Sequence, residues 1–411
     1  MTVACAAKRR RGVVTGVGVV SPIACGAEAY AEALREGRSG IRRLPDKDPA
    51  LYHSDLGAPA TDFRPEAHFD RFELRRLDRA SQMVLAAFRE AMHMAGLERL
   101  PQANSASLVL GTTLGGMNSG LEFYRNHLQG VTRARQLLDF PPYAANDHVM
   151  AEGGLQGSSL VFSTACAAGT HAIGMALDLI RSGQSDIVVT GGFDTFSELT
   201  FAGFGVLGLM SQDAVRPFDL NRSGLVLGEG AGILIVEERQ RAIARGAPVL
   251  GELCGFGITS DAYHMTAPES DGTGAARAMR LALEDADLTP EQIGYINAHG
   301  TATRKNDAAE AAAIQRVFGN ALHGIAVSST KSMIGHTLGA AGALELIATL
   351  LTLSRGFLPP TINFRDADPE CPLDVVAEGA RRCTVRHALS NSFGFGGNNG
   401  CLVVDIGENR G

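Results

Sequence analysis

Leu160-Val161-Phe162-Ser163-Thr164-Ala165-Cys166 carries an apolar, strand-like run into a Ser-Thr pair and then into a helix-like stretch ending near Arg181-Ser182-Gly183. The same plan returns at Ile325-Ala326-Val327-Ser328-Ser329-Thr330-Lys331, which leads into a small-residue helix over 338–353. Two further pairs keep this order. Gly12 to Ser21 is matched by Val249 to Ser260, each a strand punctuated by glycines; the glycine-rich Gly224 to Val236 is matched by Phe393 to Val404, each feeding a terminal strand. Three matched pairs in one order predict an internal duplication, with halves 1–247 and 248–411 meeting just after a charged helix that ends at Gly246. Short β-branched runs alternate with Ala/Leu-rich helical runs, which gives an α/β protein with largely buried sheets. Gly40 to Arg79, rich in Pro, Asp and Arg, reads as an insertion or surface cap.

The 411 residues are 45% hydrophobic and 20% charged, enough for a large core and long enough to split into two or more domains. A net charge of −7 argues against bulk nucleic-acid binding and leaves room for a local basic patch facing an acidic partner. The seven cysteines are scattered, with no CxxC pair, so neither a disulfide framework nor a structural metal is expected. Lys8-Arg9-Arg10-Arg11 follows only a few small residues, which is not the order of a secretory signal, and the apolar stretch Gly339 to Leu353 carries Glu345 and is too short to span a bilayer. No membrane association and a cytoplasmic location are expected.

Cys166 is the candidate nucleophile. Placed at a helix N-terminus, its thiol is expected to have a lowered pKa, because unpaired N–H groups and the helix dipole favour an anion. Asn297-Ala298-His299-Gly300-Thr301-Ala302-Thr303 follows a short strand over 293–296, and Lys331-Ser332-Met333-Ile334-Gly335-His336 follows another. Loops that begin at the carboxyl ends of strands in α/β sheets collect ligands, so three strand ends are expected to converge. Glycines beside His299 and His336 let the backbone approach a ligand, and an imidazole can donate to a carbonyl oxygen as charge builds there. The other nine histidines read as hydrogen-bonded core or surface residues. Phe393 to Gly400 lacks the Lys-Ser/Thr ending of a P-loop and precedes a strand, which disfavours a nucleotide and leaves an oxyanion hole open.

Taken together, STACAAG around Cys166, NAHGTATRKND around His299, STKSMIGH with Lys331 and His336, and NSFGFGGNNG resemble the β-ketoacyl-acyl carrier protein synthases, most of all the elongating type II ketosynthases. The resemblance spans Gly12 to Asp405 in the family's order. It implies a thiolase-like, duplicated five-layer αβαβα fold and a dimer. It also implies that Cys166 takes an acyl chain from acyl carrier protein, with the oxyanion on the N–H groups of Cys166 and Phe395. His299 and His336 then hold the enolate left when malonyl carrier protein loses carbon dioxide. By the same resemblance Lys331 organises the site through Glu345, Thr301 and Thr303 hold the pantetheine arm, Phe395 doubles as a gate, and Leu114 and Phe204 line the acyl pocket. No metal or redox cofactor is implied, although some family members hold a structural monovalent cation at residues matching Asn297, Glu345, Ser390 and Asn391.

Two departures stand out. Asn398 replaces a usual threonine in the glycine loop, and Gly208 stands where many relatives place an arginine that docks the acidic carrier; Arg75, Arg76, Arg133 and Arg135 are candidates to supply that charge, as well as plain solvated arginines. Three other readings compete. A coenzyme A thiolase needs a second cysteine near the C-terminus, for which Cys401 could be mistaken. A non-catalytic chain-length partner subunit generally lacks the nucleophile that is present here. A catalytic ketosynthase subunit of a type II polyketide or polyene synthase, paired with a chain-length factor, keeps all the motifs.

Overall fold

The computed structural model describes residues 9–100 and 106–407; Cys5 and Lys8 of the basic start lie outside them. The first half contributes β1 (Gly12–Val20), β2 (Ala106–Gly111), β3 (Ser159–Phe162), β4 (Ile187–Asp194) and β5 (Gly230–Glu238). The second contributes β6 (Gly251–Ser260), β7 (Ile293–Asn297), β8 (Ala326–Ser328), β9 (His387–Gly394) and β10 (Asn398–Asp405). Their order in the sheet is β3-β2-β4-β5-β1 and then β6-β10-β9-β7-β8, with the two-residue strand Asp374–Val375 beyond β8. Each strand of the first half thus has a counterpart five strands later, in mirrored order across the β1–β6 seam.

The pairing directions repeat too. β2 runs parallel to β3 and β4, while β4 to β5 and β5 to β1 are antiparallel; β7 runs parallel to β8 and β9, while β9 to β10 and β10 to β6 are antiparallel. The seam between β1 and β6 is short, from Gly12 opposite Leu253 to Val14 opposite Gly251.

The helices supply the layers. Asp78 caps α1 (Arg79–Met94) by accepting the Ser81 N–H at 2.8 Å, and the helix lays Met83, Val84, Ala87 and Ala91 against β1 and β5. Next come α2 (Ala168–Arg181), α3 (Glu198–Val206), α4 (Thr273–Ala286), α5 (Arg304–Phe318) and α6 (Ala341–Ser354). Nearly every residue of α6 is buried, as a helix that is apolar all round demands. It touches β4 and β5 on one side and β7 and β9 on the other, and α2 likewise touches both half-sheets. These two helices form the middle layer, α1 covers one outer face, and α4, packed on β6 and β10 and against α5, covers the other. The result is the five-layer, thiolase-like fold.

β3 is more open than a largely buried sheet predicts. It closes one end of the sheet, with Ser159 and Leu160 exposed, because among the described residues only β2 pairs with it. The segment over 40–79 does form a cap: Gly40 N–H donates to the Met333 carbonyl and Ala58 N–H to the Leu227 carbonyl, which seats it over the site described next. Among the described residues no helix is long and apolar enough to cross a membrane.

Candidate active site

Cys166 follows β3, Leu114 follows β2, His299 follows β7, Lys331 follows β8 and Phe395 follows β9, all at the carboxyl ends of strands that share one direction within each half. A cavity of about 640 Å³ opens over these ends, within the range for small-molecule sites. Its walls include Cys166, His299, His336, Thr301, Thr303, Phe204 and Phe395. Leu114 packs into the apolar cluster that surrounds Cys166. Lys331 and Glu345 stand behind the cavity, fully buried and ion-paired to each other.

Cys166 lies in a tight turn, Ala165–Ala167, directly before α2, and Ala165 adopts φ 49° there. A non-glycine residue in the left-handed region is costly, and such strain concentrates at working sites. The lowered thiol pKa expected from the helix start is not found: burial pushes the Cys166 thiol up to about 12, against the pull of the Lys331 ammonium and the backbone N–H groups of Phe395 and Cys166 itself. Desolvation of the anion outweighs those donors. The same two N–H groups lie beside the sulfur and favour its anion, though less than burial opposes it.

The two imidazoles meet edge to face, ring centroids 5.3 Å apart and planes at 82°. Burial, and then the Lys331 ammonium, hold both well below the usual histidine range; His336 lowers His299 further. Both rings are therefore neutral near pH 7. Nδ1 of His336 accepts the Leu338 N–H at 3.3 Å, which places the neutral ring's proton on Nε2 and makes that nitrogen a donor.

Phe395 stacks on Phe204 with centroids 5.4 Å apart, closing the apolar side of the cavity. Asn398 donates from Nδ2 to the Phe395 carbonyl at 2.9 Å. Thr301 and Thr303 share a hydroxyl hydrogen bond of 2.8 Å across Ala302, whose φ is 65°. Gly300, at φ 33°, could not be replaced: a Cβ there would lie 2.6 Å from Cβ of Ser329. At the candidate cation position, Asn297 Oδ1, Ser390 Oγ and Glu345 Oε2 are buried without hydrogen-bond partners. Asn391 differs, since its amide is already engaged with Glu310 and Cys401. Cys401 sits inside β10, buried, donating to Asn391 Oδ1 at 3.1 Å and away from the cavity wall. Arg75, Arg76, Arg133 and Arg135 are exposed and do not line the cavity.

Several supports escaped the sequence reading. Asp194, at the end of β4, accepts the Thr112 hydroxyl and the N–H groups of Thr113, Leu114 and Gly339 at 2.6–2.9 Å. Glu310 does the same in the second half, accepting His299 N–H and Gly300 N–H, both at 2.8 Å, and burial pushes it up to about 7. Asp307 and Glu310 are three apart on one face of α5, a spacing that does point both carboxylates toward the preceding loop. His171, read as a core histidine, is one: its Nδ1 bonds Thr164 Oγ1 at 2.8 Å, just before the Cys166 turn.

The chain matches two families over most of its length, described as "Beta-ketoacyl synthase, N-terminal domain" over residues 10–242 and "Beta-ketoacyl synthase, C-terminal domain" over residues 250–365. It is 41% identical to 3-oxoacyl-[acyl-carrier-protein] synthase 2 of Synechocystis sp. across 96% of this chain and 98% of that one. To the enzyme of the same name from Vibrio harveyi it is 40% identical, with the same coverage. Among solved structures it resembles the ishigamide ketosynthase/chain length factor, with TM-score 0.91, 39% identity and coverage of 97% and 99%. It also resembles a type II polyketide synthase ketosynthase in complex with its acyl-carrier protein, with TM-score 0.90, 31% identity and coverage of 97% and 100%. The strand-end cysteine, the paired imidazoles and these matches agree, and the chain belongs to the β-ketoacyl synthase family of acyl-transferring condensing enzymes.

Proposed function

We propose that the protein is a β-ketoacyl-acyl carrier protein synthase that extends an acyl chain by two carbons in fatty acid synthesis, working through Cys166, His299 and His336. The observation that carries this reading is one cavity wall holding the Cys166 sulfur and two neutral imidazoles whose ring centroids lie 5.3 Å apart. In the first half-reaction the Cys166 sulfur attacks the thioester carbonyl of an acyl carrier protein. The Phe395 and Cys166 N–H groups receive the oxyanion. Collapse expels the carrier thiolate, which leaves with the proton that the cysteine gave up, and the acyl chain stays on Cys166.

Malonyl carrier protein then enters. The bond to its carboxylate breaks, carbon dioxide departs, and the electron pair becomes an enolate whose oxygen needs donors. Nε2 of His336 supplies one and His299 the other, and because both rings are neutral they donate without surrendering a charge. The enolate carbon attacks the Cys166 thioester, the cysteine thiolate leaves, and it takes up a proton from solvent to restore the thiol. Lys331, paired with Glu345, keeps both imidazoles neutral and steadies the nascent thiolate. Thr301 and Thr303 hold the pantetheine arm. Phe395 swings from Phe204 to admit the acyl chain beside Leu114.

Asn297, Ser390 and Glu345 would hold a structural monovalent cation through their unpartnered oxygens, with Asn391 left to Glu310. The open β3 edge with exposed Leu160 suits pairing with a second subunit, most simply another copy. The unpaired Cys25, Cys166, Cys254, Cys371, Cys383 and Cys401 suit a reducing cytoplasm.

The test is intact-mass measurement after incubation with a series of acyl carrier proteins. An adduct on Cys166 and none on Cys401 is expected; an unmodified Cys166 across short, medium and long chains refutes acyl transfer. The likeness to the ishigamide ketosynthase/chain length factor favours a second reading, a catalytic polyketide or polyene subunit paired with a chain-length factor. Products extended through several rounds only in the presence of such a partner would select it.

A further inference from the structure

The wall that carries His299 does not end at the threonines. His299 and Thr301 are 2% and 5% exposed, Thr303 is half-buried, and Arg304 and Lys305 are exposed, yet all five line the cavity. This segment therefore climbs from the cavity floor to its rim. Six residues span at most roughly 20 Å, the scale of an extended pantetheine arm.

At the rim the charge is one-sided. Among the described residues, neither Arg304 nor Lys305 is in an ion pair. The acidic groups nearby are already engaged. Asp368 is ion-paired with Arg222 and feels the Arg304 charge only as the last and smallest of the influences on it. Asp307 accepts the Phe218 and Ala302 N–H groups at 2.8 and 3.2 Å. Asp261, the sole carboxylate on the cavity wall, is held by Asn399 Nδ2 at 2.6 Å. The backbone beneath the two cations is fixed, because the buried Arg222 donates from Nη2 to the Arg304 carbonyl at 3.2 Å. α5 is fifteen residues long and begins at Arg304, so its positive end adds to the same rim.

We propose that Arg304 and Lys305 form an anion subsite that takes the phosphate of the phosphopantetheine arm, so that the thioester is recognised by its own charge as well as by the carrier surface. The proposal rests on the acyl-transfer reading above and assigns it a specificity element. Two free cations at the end of a groove whose other end holds the reacting sulfur fit a substrate with a thioester at one end and a phosphate at the other. Lys and Arg bind phosphate oxygens through charge-assisted hydrogen bonds, which neutral arms cannot offer.

The test needs no carrier protein. Acylation of Cys166 is followed with three thioesters of one acyl group: pantetheine, 4′-phosphopantetheine and coenzyme A. The parent enzyme is expected to favour the phosphopantetheine ester over the pantetheine ester by about tenfold in kcat/KM, expressed in KM. Arg304→Ala/Lys305→Ala is expected to bring that ratio below about two, and added salt to lower it in the parent alone. The two side chains are exposed, and the ratio compares substrates on one protein, so a general loss of activity does not imitate the effect. A parent without preference, or a double variant that keeps it, overturns the proposal. So does a gain confined to the coenzyme A ester, which would place recognition on the nucleotide. Failure of all three esters to acylate Cys166, together with failure of the acyl carrier proteins, instead overturns the acyl-transfer reading.

Discussion

β3 leads into the turn with Ala165–Cys166, and β8, its counterpart in the second half, leads into Thr330–Lys331, so one scaffold position carries a neutral thiol in one half and a buried cation in the other. The first turn is strained, with Ala165 at φ 49°, and its reactive group faces the cavity. The second turn is ordinary helix, and its charge is sealed behind the cavity against Glu345. Buried carboxylates serve both halves alike: Asp194 gathers the loop after β2, and Glu310 gathers the loop after β7. The difference teaches that the repeated topology supplies matching strand ends and matching loop anchors, while the two turns carry groups of different chemistry. On the acyl-transfer reading proposed above, one half reacts and the other sets the field.

That division can be broken experimentally. The largest effect is expected for Cys166→Ala, which should abolish condensation while leaving malonyl carrier protein decarboxylation, because the enolate donors lie in the other half; carbon dioxide release and product formation are assayed side by side. If decarboxylation vanishes as well, the halves do not work separately. His336→Ala or His299→Ala should lower the decarboxylation rate by about 10²–10³, the usual cost of an oxyanion donor.

Lys331→Met attacks the field itself. It leaves Glu345 buried without its partner, at a cost of about 3–5 kcal/mol in urea unfolding at pH 8. Burial already pushes Glu345 up to about 7, above its unfolded value, so the carboxyl takes a proton readily as pH falls. The penalty should therefore shrink at pH 5, and Lys331→Met/Glu345→Leu should recover most of it; an equal penalty at both pH values would show that the pair is not the cause. The smallest effect sharpens the first turn. With the Cys166 thiol pushed up to about 12, its alkylation by iodoacetamide should rise about tenfold per pH unit from 7 to 9, following the thiolate fraction. A plateau within that range would mean that the helix start prevails over burial.

The α/β class, the duplication of strand patterns and the family were all legible, because strand and helix periods, glycine loops and clustered motifs are local properties of the chain. Cys166, His299 and His336 stood out for the same reason, each following a strand beside small residues. Asp194 and Glu310 did not, since a carboxylate that organises a loop looks like any other acid until the N–H groups around it are placed. The thiol went wrong in an instructive way: the helix start is visible in sequence, but the burial that outweighs it is not.

The chain by itself determined which residues end up at strand ends, since alternation and turn chemistry act over a few neighbours. Only the tertiary structure decided that ends from both halves face one cavity, that Lys331 is sealed against Glu345, and that Arg304 and Lys305 stand at the rim without an ion-pair partner among the described residues. Those outcomes depend on the β1–β6 seam and on α2 and α6 lying between the half-sheets, contacts between residues far apart in the chain. Desolvation and long-range charge follow from that packing, and no local pattern encodes them.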